Sequence, residues 1–247
     1  MRTKKNSNIV PNDAILKYYF YFIQERMNIF WRRCENKGFL TDDPILKEYK
    51  FTNVYRACDR VSQYLIRNVI YKDMGRYSPE DVLLRILVFK VFNRIETWEY
   101  LSQLTDITVE SFNVDKLSKA LAKRQVNSPI FSNAYMMTGC YSGYEGISCK
   151  HQVWLQMIED GFIKRKGLQK VLSATSMSEV YNQLRDYPLI GDFLAYQYTV
   201  DFNYSPYINF DEDSFVKAGV GAVRGIKKCF TSYGNDYEDA IYYIQEH

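Results

Sequence analysis

Apolar residues recur along this chain at helical spacing. From Ala14 to Arg33, Leu16, Phe20, Ile23, Met27, Phe30 and Trp31 fall three or four positions apart, or side by side at the end, which predicts a helix with one apolar stripe. Asn53 to Tyr71 repeats the pattern with Val54, Cys58, Val61, Leu65 and Val69. Between them, Thr41-Asp42-Asp43-Pro44 reads as a turn that also caps a following helix. Ser78-Pro79-Glu80-Asp81 is a strong helix start: a capping hydroxyl, a proline at the first helical position, then acids on the positive end of the dipole. That helix is expected to run to about Phe92. Shorter helices are predicted over Thr97–Leu104 and Val114–Lys123, then over Val153–Phe162, Ser176–Tyr187 and Asp192–Tyr204. Ala222–Cys229 and Tyr237–Gln245 close the chain. Asn127 to Ser148, richer in Gly, Ser and Tyr, reads as an irregular crossing. The pattern shows no credible paired strands, no repeat and no low-complexity linker. The expectation is an all-α fold: one helical unit over residues 1–247, built as two lobes with a cleft between them.

Composition sharpens this picture in a few places. The chain has 247 residues, 47% of them apolar, which is enough for a real core. Only 6 prolines and 12 glycines occur, which favours helices over a turn-rich β architecture. The net charge of +3 neither requires nor excludes nucleic acid, because a basic face can sit on a near-neutral whole. The 22 tyrosines supply flat, polar-tipped rings suited to a base-binding surface, although many are expected simply to rim the core. The five cysteines are scattered, without Cys-x-x-Cys, and the histidines are His151 and His247 alone. No metal site and no cofactor is therefore expected. An odd set of scattered cysteines suggests a reducing cytoplasm. The basic start leads into no apolar signal region, and no run of 18 apolar residues exists, so neither export nor a membrane span is expected. No obligate protein partner is indicated.

The chemistry is concentrated late in the chain, over about residues 176–230. Leu184-Arg-Asp-Tyr-Pro188-Leu-Ile-Gly191-Asp-Phe-Leu-Ala195 reads as a helix, a tight hairpin and a second helix, an arrangement that aims backbone N–H groups at a phosphate. It resembles the hairpin of the helix–hairpin–helix DNA glycosylases. Two positions depart from that pattern: Leu189 stands where the first glycine is usual, and Asp192 where a basic or neutral residue suits a phosphate better. Ile208-Asn-Phe-Asp211-Glu-Asp-Ser-Phe215 resembles the glycosylase segment that carries the catalytic aspartate, and the interval from Gly191 to Asp211 matches (211 − 191 = 20 residues). The resemblance implies that Asp211 stabilises positive charge at C1′ or positions a water. Glu212 and Asp213 compete for that role, and a solvated helix cap is the alternative for Asp211. Phe193 occupies the position of the lysine that performs backbone cleavage in the lyase-type relatives, so no lyase step is implied.

A second resemblance covers roughly residues 15 to 230. Phe51-Thr-Asn53-Val-Tyr-Arg56-Ala-Cys-Asp59-Arg-Val-Ser62, Phe92-Asn93-Arg-Ile95, Phe193-Leu-Ala-Tyr-Gln197 with Asp201 and Tyr204, and Ala218-Gly-Val-Gly221-Ala-Val-Arg-Gly225 are similar to one clade of that superfamily. It is the α-glutamyl/putrescinyl thymine pyrophosphorylase clade, also found as the helical domain attached to hydroxymethyluracil DNA kinases. The resemblance implies hypermodified pyrimidines in phage DNA as substrates. Asn53, Arg56 and Asp59, spaced i, i+3 and i+6, are candidates to read a base, phosphate or sugar, and Asn53 is, with Asp211, a catalytic candidate that orients the base or a water. A polar stripe tying two helices together is the alternative. Asn93 and Tyr135, the latter in the tyrosine-rich crossing with Tyr141 and Tyr144, are candidate pocket residues. Gly191, Gly219, Gly221, Arg224 and Lys227 are candidate DNA contacts, the glycines by allowing close backbone approach. Lys164-Arg165-Lys166 is a further basic cluster, read more readily as a solvated loop.

With Asp211 at glycosylase spacing and no kinase attached, the expected activity is that of a monofunctional DNA glycosylase, a hydrolase. The resemblance to relatives in bacterial defence implies that it would flip and excise a modified pyrimidine such as glucosylated hydroxymethylcytosine from double-stranded phage DNA, in anti-phage defence. The alternatives are a transferase that adds an amine or amino acid to an activated methylene, and a non-catalytic DNA-binding module.

Overall fold

The computed structural model describes residues 8–133, 137 and 143–247. Tyr135 and Tyr141 lie outside the described residues. In chain order the described elements are β1 (Ile9–Pro11), α1 (Asp13–Cys34), α2 (Pro44–Glu48), α3 (Arg60–Tyr64), α4 (Pro79–Phe92), α5 (Ile95–Leu104), α6 (Val114–Gln125), α7 (Lys150–Met157), α8 (Gly167–Leu172), α9 (Met177–Arg185), α10 (Asp192–Asn203), α11 (Val220–Cys229), β2 (Phe230–Tyr233) and α12 (Tyr237–Glu246). The all-α expectation holds. The departure from it is a small antiparallel ribbon that pairs Ile9 with Tyr233 and Val10 with Ser232.

Local chemistry sets several helix starts. Asp43 caps α2 by accepting from the Ile45 and Leu46 backbone N–H groups, with Pro44 at the first turn. Ser78 and Asp81 form a reciprocal capping box at the start of α4. Ser176 caps α9 through the Glu179 N–H. Each motif spans no more than four residues, which is why the sequence displays it so clearly.

The chain divides into two compact units. The first comprises residues 1–59 and 216–247. Its core is small: Leu16 of α1, Ile226 and Cys229 of α11, Phe230 of β2 and Ala240 of α12. The α1 helix forms as expected, but its buried face is not the expected one. Leu16 and Ile29 are buried, whereas Phe20 is 46% exposed and Trp31 56% exposed. Within this unit α1 packs on α11, and that neighbour selects which residues go inside.

The second unit comprises residues 60–215. It is organised around α4, in which every residue from Val82 to Phe92 is buried. A helix that is apolar all round belongs in a core, not at a surface. It packs against the segment after α3 and against α5, α8 and α10. One expected helix is replaced here and in the first unit: Asn53–Tyr71 is not a single helix. Residues up to Asp59 form a loop with one 3-10 turn at Arg56–Cys58, and α3 begins only at Arg60 before widening into a π-helix over Leu65–Ile70. The Asp59 side chain accepts from the Asn53 N–H, and such local bonding holds the chain out of helix. The α7 helix likewise continues as a π-helix over Ile158–Lys164.

Candidate functional site

The hairpin between α9 and α10 is present as expected. Its left-handed residue is Leu189, with φ of 70°, at the position where a glycine is usual. A non-glycine residue there costs on the order of 1–2 kcal/mol. Burial of the Leu189 side chain against the main core offsets that cost. Gly191 serves as N-cap of α10 with φ of −82°, so its backbone is not what requires glycine; open space around its α-carbon is the notable feature. Asp192 begins α10 and accepts from Tyr181 Oη at 2.7 Å, and it pairs with Arg185. The acid at this helix start is thus engaged within the protein.

The segment after α10 is pinned by Asn203. Its side-chain amide donates to Phe210 O at 3.0 Å and accepts from Phe210 N at 2.8 Å, reproducing the pairing of a strand neighbour. Asp211 follows immediately. It is exposed and caps the 3-10 turn Glu212–Ser214, accepting from the Asp213 N–H at 3.0 Å. Glu212 and Asp213 are exposed as well.

Asn93 sits just past the C-terminus of α4 in the left-handed conformation, with φ of 46°. Its Oδ1 accepts from Lys90 Nζ at 2.8 Å, and the same ammonium lies 3.3 Å from Asp201 Oδ2 of α10. Asp201 is fully buried and Lys90 nearly so. This polar network crosses the core between α4 and α10. Sequence reading noticed Asp201 only through resemblance and missed Lys90 altogether, because a lysine in an apolar run gives no sign that it is paired.

In the first unit, Asn53, Arg56 and Asp59 share one loop and not one helix face. Asn53 Nδ2 donates to Cys58 O at 2.9 Å, and its backbone N–H donates to Asp59 Oδ1 at 3.1 Å. Arg26 of α1 donates to Asn53 O at 2.9 Å and lies over the Phe22 and Phe51 rings. Burial pushes the Arg26 guanidinium below its usual pKa, and Asp59 opposes that shift. Asn53 and Asp59 therefore brace this loop, and Arg26 is the anchor that sequence reading did not identify. Gly219, Gly221, Arg224 and Lys227 lie together on α11. Gly219 is its N-cap, and nothing crowds the missing Cβ of Gly219 or Gly221. Arg224 is exposed, and Lys227 Nζ stands 5.7 Å from the centre of the Tyr237 ring. Within the first unit, Asn53, Arg56 and Asp59 form one local structure and Gly219, Gly221, Arg224 and Lys227 another. Among the described residues no cluster of three His, Cys, Asp or Glu side chains is placed to hold a metal ion. No helix among them is long and apolar enough to cross a membrane.

Comparison with known proteins bears on what these structures serve. Residues 13–247 match the family model described as the helical domain of 5-hmdU DNA kinase. A 5-hmdU DNA kinase of Bacillus phage SP10 is 28% identical over 246 residues, covering 92% of this chain and 38% of that protein. The chain thus corresponds to well under half of that relative. No solved structure matches. These findings correct the glycosylase expectation. Family and relative are named for a kinase of a modified nucleoside in DNA, not for excision of a base, so the hydrolase reading and its defence role fall. The role drawn for Asp211 at C1′ presupposed that excision. Of the two sequence resemblances, the matches support the link to helical domains of hydroxymethyluracil DNA kinases.

Proposed function

We propose a function from one premise: the chain belongs to the family of 5-hmdU DNA kinase helical domains. Its role is to bind double-stranded DNA carrying 5-hydroxymethyldeoxyuridine and to hold the hydroxymethyl group for kinase-type modification. In that reaction the hydroxymethyl oxygen forms a bond to the terminal phosphorus of a nucleoside triphosphate. The bond from that phosphorus to the diphosphate breaks, and the hydroxyl proton leaves. Catalysis of this kind is mostly positioning and charge stabilisation, so a domain that fixes the acceptor contributes directly.

The observation that carries the proposal is the family match across residues 13–247. Two structural features agree with it. The α9–α10 hairpin is a tight turn between two helices with Leu189 in the left-handed conformation, a form that suits backbone contact with a phosphate. The exposed side of α11 presents Arg224, Lys227 and Lys228 beyond an N-terminus free of crowding. The test is a binding comparison between duplexes identical except for one 5-hydroxymethyldeoxyuridine in place of thymidine. A preference of about tenfold or more for the modified duplex, with transfer of labelled phosphate to it when the kinase activity is supplied, is the expected result. Equal affinity for both duplexes would remove the proposed recognition.

A further inference from the structure

The second unit contains a pocket of about 650 Å³ between the segment that follows α3, the start of α4 and the helix α5. This lies within the ordinary range for small-molecule sites. Its floor holds Arg85, whose side chain is only 7% exposed. A buried guanidinium normally uses its donors fully, because an unsatisfied charge in a low-dielectric site is costly. Arg85 does not. Its Nε–H reaches Val69 O at 3.5 Å and its Nη1 reaches Asp106 Oδ1 at 3.4 Å, both long, and no other acceptor among the described residues takes its remaining donors.

The guanidinium plane is fixed by the Tyr77 ring at 4.0 Å and the Trp98 ring at 5.0 Å. Asp106 is shared: its Oδ2 lies 2.6 Å from Arg76 Nη2, and its Oδ1 accepts from Tyr77 Oη at 2.8 Å. One carboxylate, Asp106, therefore serves two guanidinium groups and a phenol, and Asp81 is the second acid that acts on Arg85. Lys72 stands at the rim with the acids Asp73 and Glu99. Those two acids are exposed, so water screens them, whereas Arg85 is shielded from water. Glu99 is also occupied, accepting from Tyr64 Oη at 3.2 Å. Burial and Glu99 push the Tyr64 phenol up to about 12, which keeps it a neutral ring at working pH. Phe89 stacks on one side of Tyr64, and Tyr64 itself lines the pocket.

From this geometry we infer that the pocket is a nucleotide-binding site, with a phosphate group received by Arg85 and Arg76 and a base laid against the ring of Tyr64. Guanidinium forks match phosphate oxygens in a bidentate manner. Inorganic phosphate alone would leave most of the volume empty, whereas a base fills it and stacks. The site is independent of the DNA-recognition reading, since it rests only on groups inside the second unit.

Calorimetric titration of the full chain with thymidine 5′-monophosphate, thymidine and inorganic phosphate tests it. The nucleotide is expected to bind at least about tenfold more tightly than either part alone, and more weakly as salt rises. Arg85→Lys keeps the charge but loses the fork, and it should weaken nucleotide binding about tenfold or more. Because Arg85 is buried, Arg76→Gln at the exposed rim is the companion variant, with thermal melts confirming that both fold. Displacement of the nucleotide by a short single-stranded deoxythymidylate oligomer would identify a DNA strand as the source of the phosphate. No displacement would identify a free nucleotide. The inference is overturned if the nucleotide does not bind, if thymidine binds equally well, or if Arg76→Gln binds like the parent. Failure here with retained preference for modified duplex sinks the pocket alone. Binding here with no duplex preference sinks the DNA reading alone.

Discussion

The ring of Tyr187 lies against the backbone of Gly161, so close that a Cβ on that glycine would fall 2.7 Å from Tyr187 Cδ1. The same ring stacks on Phe162 with centroids 4.1 Å apart. Tyr187 belongs to the hairpin before α10, and Gly161 to the π-helical turn after α7. The hairpin is therefore seated by a shape match between a ring and a missing side chain.

Gly161→Ala tests that seating. In an open helix the change would stabilise by about 0.5–1 kcal/mol. Here overpacking should prevail and destabilise by roughly 1–3 kcal/mol, lowering the thermal midpoint. Adding Tyr187→Ala should make the glycine change cheaper than it is alone, a coupling of at least about 0.5 kcal/mol. A higher midpoint for Gly161→Ala would show that the ring gives way freely.

The Lys90–Asp201 pair predicts an asymmetric mutational pattern. Lys90→Met leaves Asp201 buried without its cation and should cost about 3–5 kcal/mol. Replacing both, as Lys90→Met with Asp201→Leu, should recover most of that loss in denaturant titrations. A double variant no better than the single one would mean that other members of the network, Asn93 among them, carry the stabilisation.

For the basic face of α11, salt dependence is the informative measurement. Arg224→Ala and Lys227→Ala should each weaken DNA binding to modified and unmodified duplexes alike. Each should lower the slope of log affinity against log salt by about one if the residue contacts a phosphate. Unchanged slopes would leave both as ordinary surface charges, with Lys227 serving the Tyr237 ring instead.

His151 of α7 links stability to pH. Burial holds its imidazole below the ordinary value of 6.5, partly opposed by a hydrogen bond with the Ser118 backbone. The folded protein therefore favours the neutral ring, while the unfolded chain takes up a proton below its own value. The stabilisation is present above about pH 6.5 and declines as pH falls toward the lower folded value. The urea midpoint should drop between pH 7 and pH 5, and His151→Gln should flatten that drop. An identical pH profile in the variant would exclude His151 as the source.

Much of the candidate site was visible in sequence as residues but not as arrangements. The hairpin at Pro188–Gly191 was legible because a turn is a local event. The Asn53-Arg56-Asp59 trio was misread because its spacing suits a helix, while the chain there closes on itself through Asp59. Asp211 was singled out by its interval from Gly191, and an interval says nothing about what faces the carboxylate. Arg85 drew no attention, since an arginine within Val82–Phe92 looks like the polar edge of an amphipathic helix.

The sequence by itself determined the helical character of the chain, the helix starts at Asp43, Ser78 and Ser176, and membership of its family. All but the last depend on interactions within a few residues, which any conformation of the chain samples early and often. Tertiary structure alone decided that α4 is buried all round, that α1 leaves Phe20 and Trp31 exposed, and that Lys90 meets Asp201. It also paired β1 with β2, where Ser232 reaches Asn8 across 224 positions. Contacts of such separation carry no local signature, because the closing of the loop is repaid only by packing that exists once the whole fold has formed.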